Sequence, residues 1–181
     1  MQKYYKLEMN RTLKITTGLV WTALIALPAA MTALRYFATS RACAHCSQPA
    51  FVPQTWMITA TTLTVGCIIY FTLALAPRGF ALNDIELVID RALYPVKIPL
   101  TAITEARRLE DAEMRRTLRL MGASGFYAHY GWFWNKKLGR FRFFSGRFDD
   151  LVLVRSGAML FVLGPEDPAG FTTALRSLTH L

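Results

Sequence analysis

Two long uncharged runs dominate the first part of the chain. Residues 15–34 (ITTGLVWTALIALPAAMTAL) and residues 56–76 (WMITATTLTVGCIIYFTLALA) contain no Asp, Glu, Lys or Arg. Each run has about 20 residues, and a helix of that length is roughly 30 Å long, which matches the hydrocarbon core of a bilayer. The pattern predicts a two-span transmembrane hairpin over residues 15–77, with residues 35–55 as its extracytoplasmic loop.

A cleaved signal peptide is the alternative interpretation of the first run. The apolar region of a signal peptide usually has about 7 to 15 residues, which is shorter than this run. A second uncharged run also follows it. Both observations favour a membrane span over a cleaved leader.

After Gly79 the hydrophobic pattern changes to a period of two, which is typical of half-buried strands. Apolar and polar residues alternate over residues 85–89 and again over residues 96–100. The next part of the chain predicts a third strand over residues 103–109, a charged loop or short exposed helix over 107–119, and a flexible connection over 122–125 (GASG).

Residues 125–163 continue this pattern with aromatic and β-branched runs that are bounded by Gly, Asn and Ser. Residues 135–139 (NKKLG) predict the tip of a β-hairpin. Ser156-Gly157 predicts a second turn, between strands over residues 151–155 and 159–163. This part of the chain is therefore expected to form a sheet of short strands.

The last strand is expected to lead into a C-terminal helix. Asp167 is placed to cap the N-terminus of the helix, and Pro168 to occupy its first position. Phe171, Leu175 and Leu178 recur at spacings of four and three, so they share one helix face. We expect this face to cover an open end of the sheet.

The charge distribution predicts how the hairpin is oriented. The net charge is +9, and the basic N-terminus over residues 1–14 carries Lys and Arg at four positions against a single acid. The connection between the two runs carries only Arg35 and Arg41, and basic residues resume at Arg78. By the positive-inside rule, both termini are expected to be cytoplasmic. Two membrane spans and the lack of a recognised binding motif argue against nucleic acid as a partner.

Cys43 and Cys46 form a Cys-Ala-His-Cys sequence in the expected outer loop. Such a pair is compatible with a redox centre, half of a zinc site or a small disulfide. A zinc site needs about four ligands and the chain has no second pair, while a redox motif needs a helix N-terminus that the sequence does not predict. The favoured interpretation is a local disulfide between Cys43 and Cys46, or two unreactive thiols, and no metal.

The order of the later elements, with several of their motifs, resembles the bacterial PH-like (pleckstrin homology-like) domain family. The motifs are Gly125-Phe126 followed by Gly131, residues 135–141 (NKKLGRF), residues 151–154 (LVLV), and Gly164-Pro-Glu-Asp-Pro168 followed by Phe171. The resemblance implies a partly open β-barrel of about seven strands that is capped by a C-terminal helix, and a domain of this kind can be joined to a transmembrane hairpin. It implies no catalytic residues.

The predicted fold class is therefore a membrane-anchored α+β protein of the bacterial cytoplasmic (inner) membrane. A basic cytoplasmic N-terminus over residues 1–14 precedes the transmembrane helical hairpin over residues 15–77, and a cytoplasmic PH-like domain occupies residues 78–181. We find no nucleophile elbow and no glycine-rich phosphate loop, and His129 stands alone among aromatic residues. The chain is expected to be no enzyme and to need no cofactor.

Basic residues interleaved with aromatic ones form the candidate binding site for a lipid or a partner. They are Lys136, Lys137, Arg140, Arg142 and Arg147. Strand alternation places Arg140 and Arg142 on one face and Phe141 and Phe143 on the other. A solvated hairpin without a ligand is the simplest alternative.

The leading hypothesis for function is a module for protein interaction or assembly at the cytoplasmic membrane face. Small residues in the two uncharged runs would permit close helix packing, which suggests a homo-oligomer or a subunit of a membrane complex. One alternative is a sensor of anionic lipid that uses the basic hairpin. The other is an accessory thiol protein that acts through Cys43 and Cys46.

Overall fold

The computed structural model describes residues 3–8, 11–42 and 51–179. Within these ranges the chain is an α+β protein with two β-sheets, a C-terminal helix and two long helices near its N-terminus. Cys43 and Cys46 lie outside the described residues, so their pairing stays a prediction.

The described residues form ten strands, four α-helices and one 3-10 turn. The strands are β1 (Lys3–Lys6), β2 (Pro77–Leu82), β3 (Glu86–Arg91), β4 (Val96–Pro99), β5 (Ile103–Arg108), β6 (Leu118–Phe126), β7 (Ala128–Asn135), β8 (Gly139–Ser145), β9 (Val152–Ser156) and β10 (Met159–Leu163). The helices are α1 (Arg11–Ala42), α2 (Phe51–Leu75), α3 (Asp111–Met114) and α4 (Pro168–Thr179), and the 3-10 turn is Leu100–Ala102.

The strands build a four-stranded sheet of order β1-β2-β3-β4 and a six-stranded sheet of order β5-β9-β10-β8-β7-β6. Neighbouring strands are antiparallel, except that β8 and β10 run parallel. Nine of the described strands follow the long helices, which is more than the seven or so that the resemblance implies.

The main hydrophobic core lies between the two sheets and is covered by α4. It contains Phe80 and Leu87 of the first sheet, Val154 of the second, and Phe171 and Leu175 of the helix, all fully buried. Alternate residues of a strand point to opposite faces, so the six-stranded sheet also carries a second cluster on its other side. That cluster includes Phe133, Phe141, Phe143, Leu153 and Val162, with Met114 of α3 packed on it.

Four local predictions are confirmed. β7 and β8 form a hairpin around residues 136–138, and β9 and β10 meet at a turn that contains Gly157. At the start of α4, the Asp167 carboxylate accepts a hydrogen bond of 2.9 Å from the backbone N–H of Gly170, three residues later. The apolar face of α4 packs on the main core as expected.

The long helices are inserted between two strands that pair with each other. β1 precedes α1, β2 follows α2, and the two strands run antiparallel from Lys3 opposite Leu82 to Lys6 opposite Gly79. The residues expected to form only a basic N-terminal segment therefore supply the edge strand of the first sheet. Both ends of the helical hairpin are consequently held at the same edge of the domain.

The helical hairpin differs from the predicted one in its extent. α1 begins at Arg11 and continues to Ala42, and α2 begins at Phe51, so much of the expected loop over residues 35–55 is helical. Within the part of the chain that the structure describes, no helix combines the length and hydrophobicity that a membrane span requires. The two predicted spans are thus not supported by the described residues.

The prediction of a flexible connection at residues 122–125 is wrong, because these residues lie within β6. Gly122 pairs with Gly131 of β7, and both have positive φ angles, of 128° and 127°. A Cβ atom at either glycine would lie 2.1 Å from a carbonyl oxygen of the opposite strand. The glycines therefore permit a close backbone approach at an irregular strand pairing. In the sequence, glycines at such a pairing look the same as glycines in a loop, which is why the prediction failed.

Candidate functional site

The structure separates the five predicted site residues into three places. Lys136 and Lys137 are exposed in the β7–β8 turn. Arg140 and Arg142 lie on the side of β8 that carries Phe144, and Arg142 is half-buried. The side chain of Arg147 is only 11% exposed and faces the N-terminal segment. These residues are close in sequence but do not form one continuous surface.

Arg147 holds the chain ends of the domain together. Its guanidinium forms an ion pair with Glu8 and donates a hydrogen bond of 3.1 Å to the carbonyl oxygen of Pro165. Glu8 follows β1, and Pro165 lies between β10 and α4. Arg147 therefore stabilises the domain, and its partners leave it unavailable as a ligand site.

Lys136 and Lys137 lie beside two further cations from the loop after α3. Together with Ala112, the side chains of Arg115, Arg116, Lys136 and Lys137 line an open groove of about 490 Å³. We call these four cations the basic tip. None of them forms an ion pair with a carboxylate of the described residues. The groove is therefore a concentration of four cations that form no ion pair within the described residues.

Asn135 joins the two loops that carry the basic tip. Its side chain is 1% exposed, and its amide nitrogen donates to the carbonyl oxygen of Glu113 at 2.8 Å and to the hydroxyl of Thr117 at 3.2 Å. Its amide oxygen accepts hydrogen bonds from the backbone N–H groups of Lys137 at 3.0 Å and Leu138 at 2.7 Å. One buried side chain thus fixes the α3 loop against the hairpin turn.

Glu113 anchors the same loop to β5. Its two carboxylate oxygens accept hydrogen bonds of 2.7 and 2.8 Å from Arg107, and one of them also accepts from the backbone N–H of Glu110 at 3.2 Å. The hydrogen bonds from Arg107 lower the pKa of Glu113 to about 2. The carboxylate therefore stays ionised at neutral pH and keeps α3 in place.

A second group of cations stacks on aromatic rings at the rim of the main core. The guanidinium carbon of Arg140 lies 4.3 Å from the ring centroid of Trp132, and that of Arg142 lies 5.7 Å from the same ring. Arg142 and Arg91 also lie 5.2 and 5.7 Å from the ring of Phe144. We call Arg91, Arg140, Arg142, Trp132 and Phe144 the arginine–aromatic cluster.

The cluster joins the two sheets, because Arg91 ends β3 of the first sheet and the other members belong to β7 and β8 of the second. Burial lowers the pKa of Arg142. Burial and, next, the charge of Arg142 lower the pKa of Arg91. The Nε atoms of both arginines are buried without a hydrogen-bond partner in the described structure. Two like charges are thus held together in a partly desolvated place.

The cluster and the basic tip lie at different distances from the long helices. Tyr130, near the cluster, donates a hydrogen bond of 2.8 Å to the Thr72 carbonyl of α2. The backbone N–H of Leu93 donates a hydrogen bond of 2.8 Å to the Ala74 carbonyl, also in α2. At the start of β7, the backbone N–H of Tyr127 donates to the Thr17 hydroxyl of α1 at 3.2 Å. The basic tip follows the other end of β7, about 25 Å along the strand from Tyr127. The cluster is therefore close to the long helices, and the basic tip is far from them.

Sequence reasoning missed the contributions of Arg91, Arg115, Arg116 and Asn135. Arg115 and Arg116 belong to a charged run that carries no signal of its spatial neighbours, and Arg91 meets Arg142 only through the packing of two sheets. Asn135 had a usable signal, since Asn at a turn often bonds to the backbone two or three residues later. Among the described residues, no group of three or more His, Cys, Asp or Glu is arranged to hold a metal ion.

Comparison with known proteins identifies one family. The family model described as "Bacterial PH domain" matches residues 78–179, which is more than half of the chain. The match runs from β2 to α4 and so leaves out β1 and the long helices. No curated protein and no solved structure matches the chain significantly.

Proposed function

The chain belongs to the bacterial PH domain family, and from this premise we propose that it is a non-enzymatic module held at the cytoplasmic face of the inner membrane by its α1–α2 hairpin. The basic tip binds an acidic surface of a partner protein there and so assembles a membrane complex. One observation carries the proposal: the hairpin is inserted between the paired strands β1 and β2, so the domain is fixed to both helix ends.

The exposed surface of the helices supports contact with lipid. Leu63 and Ile68 of α2 are 65% and 61% exposed, and Leu19 and Phe71 are similarly open. Soluble proteins rarely leave so much apolar surface uncovered. We therefore propose that lipid covers it, in the two-span arrangement that the uncharged runs predict.

The threonines of α2 are compatible with such an environment. The hydroxyl of Thr64 donates to the Ala60 carbonyl at 2.8 Å, and that of Thr72 donates to the Ile68 carbonyl at 2.7 Å. A hydroxyl that bonds within its own helix needs no partner from the surroundings. These residues lower the hydropathy of the helix at little cost in hydrocarbon.

The pairing of β1 with β2 also supports one orientation. Strands that are hydrogen-bonded to each other lie on the same side of any membrane that the intervening hairpin enters. The positive-inside rule assigns that side to the cytoplasm. We therefore propose that both termini and the whole PH domain are cytoplasmic.

The basic tip supports the choice of an acidic protein as the partner. Its four cations form no ion pair among the described residues, and complementary charge accelerates association and selects partners. The tip is remote from the helix attachment, whereas a lipid-reading site would be expected close to the anchor. Arg140, which the sequence grouped with Lys136 and Lys137 as a lipid site, stacks on Trp132 instead.

Site-specific photo-crosslinking in intact bacterial membranes tests this function. A photoreactive residue in place of Lys136 should give a discrete protein adduct, while one in place of the exposed Thr173 on α4 should give none. The combined changes Arg115→Gln, Arg116→Gln and Lys137→Gln should abolish the adduct, because they remove the charges that hold the partner. An adduct with lipid only, or one unaffected by these changes, would contradict the proposal.

A further inference from the structure

We propose that the arginine–aromatic cluster is a binding site for a phosphate group, carried either by a lipid headgroup or by a soluble phosphate ester. This site is separate from the basic tip, and the inference does not depend on the proposed protein partner. It rests on the two arginines that lack a counter-charge, on the way the rings hold them, and on their position between the sheets.

The first argument is the missing counter-charge. No carboxylate of the described residues forms an ion pair with Arg91 or Arg142. Arg107, by contrast, is paired with carboxylates of the protein itself, those of Glu105 and Glu113. Partly buried charges are ordinarily paired, because burial without a partner is unfavourable. An external anion would supply the charge that the protein does not.

The second argument is the geometry of the donors. The side chain of Arg142 makes no hydrogen bond within the described structure, and its guanidinium contacts the rings of Trp132, Phe144 and Phe161. Arg91 donates one hydrogen bond, to the carbonyl oxygen of Tyr94, and its Nε has no partner. An aromatic contact at the π-face holds the guanidinium in place and leaves its N–H edge free to donate. Phosphate matches this edge because two of its oxygens accept parallel hydrogen bonds from one guanidinium.

The third argument is position. Arg91 and Arg142 come from different sheets and converge on the same ring, Phe144. A phosphate held by both would bridge the sheets and remove the repulsion between them. The bound ligand should therefore raise the thermal midpoint of unfolding, because it binds only the folded arrangement. The neighbouring contacts of Tyr130 and Leu93 with α2 place the site close to the proposed anchor, where a lipid headgroup is within reach.

Titration of the full chain in neutral detergent micelles tests the inference by calorimetry and by thermal unfolding. One arm uses inorganic pyrophosphate, and the other uses short-chain phosphatidic acid mixed into the micelles. The double variant Arg91→Gln, Arg142→Gln should bind roughly 10- to 100-fold more weakly than the unchanged protein. The matched control Arg115→Gln, Arg116→Gln loses the same charge at the basic tip and should bind nearly as well as the unchanged protein.

The thermal data guard against a variant that merely misfolds. Without ligand, the Arg91→Gln, Arg142→Gln variant should still unfold in one cooperative transition, because the two changes remove a repulsion together with the ring contacts and the Arg91–Tyr94 hydrogen bond. The single change Arg142→Lys keeps the charge but loses the planar donor pair. Its affinity for the phosphate probes should therefore lie between that of the unchanged protein and that of the double variant. With ligand, only proteins that retain both arginines should gain stability.

The two arms distinguish the sources of the phosphate. Binding of both probes supports a site for soluble phosphate esters, and binding of phosphatidic acid alone supports a lipid headgroup. The inference is overturned if neither probe binds, or if the control variant loses as much affinity as the double variant. Either of those results would leave the membrane attachment untouched, since the measurement is made in detergent.

Discussion

At the scale of single residues, Asn135 joins the two loops that form the basic tip. Changing Asn135 to Ala removes four part-buried hydrogen bonds, three of which satisfy backbone groups of Glu113, Lys137 and Leu138. We expect the free energy of unfolding to fall by about 2–4 kcal/mol. Thermal unfolding of the full chain in detergent measures this, with the exposed Lys136→Ala as a control of little effect. A loss no larger than that of the control would show that the loops hold without Asn135.

Glu113 should make stability depend on pH. Its pKa is about 2 in the folded protein and 4.5 ordinarily, so the unfolded chain takes up a proton first as the pH falls. The stabilising contribution is complete above about pH 4.5 and disappears as the pH approaches 2. We expect Glu113→Gln to destabilise the protein by about 1–2 kcal/mol at pH 7.

The comparison of Glu113→Gln with the unchanged protein between pH 7 and pH 2.5 checks this prediction. The difference between their thermal midpoints should shrink steadily below about pH 4.5. A difference that stays constant over this range would mean that the Arg107–Glu113 pair does not hold α3.

The sequence predicted some residue positions well and others not at all. Period-two alternation correctly placed Arg142 on the face opposite Phe141 and Phe143, because strand geometry is local. The proximity of Arg91 to Arg142 arises only when two sheets pack on Phe144. No local pattern encodes such a contact.

At the scale of secondary-structure elements, α4 closes the main core through Phe171. Its ring lies 5.1 Å from Tyr5 of β1 and 5.9 Å from Phe80 of β2. Phe171→Ala should lower the free energy of unfolding by about 3–5 kcal/mol, because it leaves a cavity between the helix and the first sheet. Phe171→Leu should cost clearly less in the same thermal assay. Equal losses for both changes would point to a requirement for the ring itself.

Elements with a strong periodic signal were predicted, and elements without one were missed. β3, β7, β8 and α4 carry clear alternation or helical spacing, together with turn and cap residues. β1 has only four residues, and the whole α1–α2 hairpin separates it in sequence from its partner β2. A strand this short, with its partner this distant in sequence, carries no recognisable periodic pattern. The close pairing of Gly122 with Gly131 requires glycine at both positions. Because glycine is also typical of loops, the sequence around Gly122 predicted a loop in place of β6.

At the scale of the whole molecule, the pairing of β1 with β2 predicts that the PH domain needs the N-terminal strand for full stability. A chain in which residues 1–8 are joined to residues 77–181 by a short Gly-Ser linker should fold as a soluble domain. Residues 77–181 alone should be less stable and prone to aggregate, because β2 becomes an open edge and the packing of Tyr5 on Phe171 is lost. Thermal unfolding and size-exclusion chromatography compare the two.

A match between those two proteins in stability and solubility would contradict this view of β1. It would indicate that residues 78–179, the extent of the family match, already form the complete domain. The comparison therefore also decides how the boundaries of the domain should be drawn.

The central proposal is that the inserted hairpin attaches the PH domain, with β1 as its edge strand, to the membrane. The most direct test is flotation with phosphatidylcholine vesicles, followed by an alkaline carbonate wash, of the full chain and of the linker-joined chain that lacks residues 9–76. The full chain should float and resist the wash, and the linker-joined chain should fold but stay at the bottom of the gradient. Release of the full chain by carbonate, or flotation of the chain without the hairpin, would contradict the account.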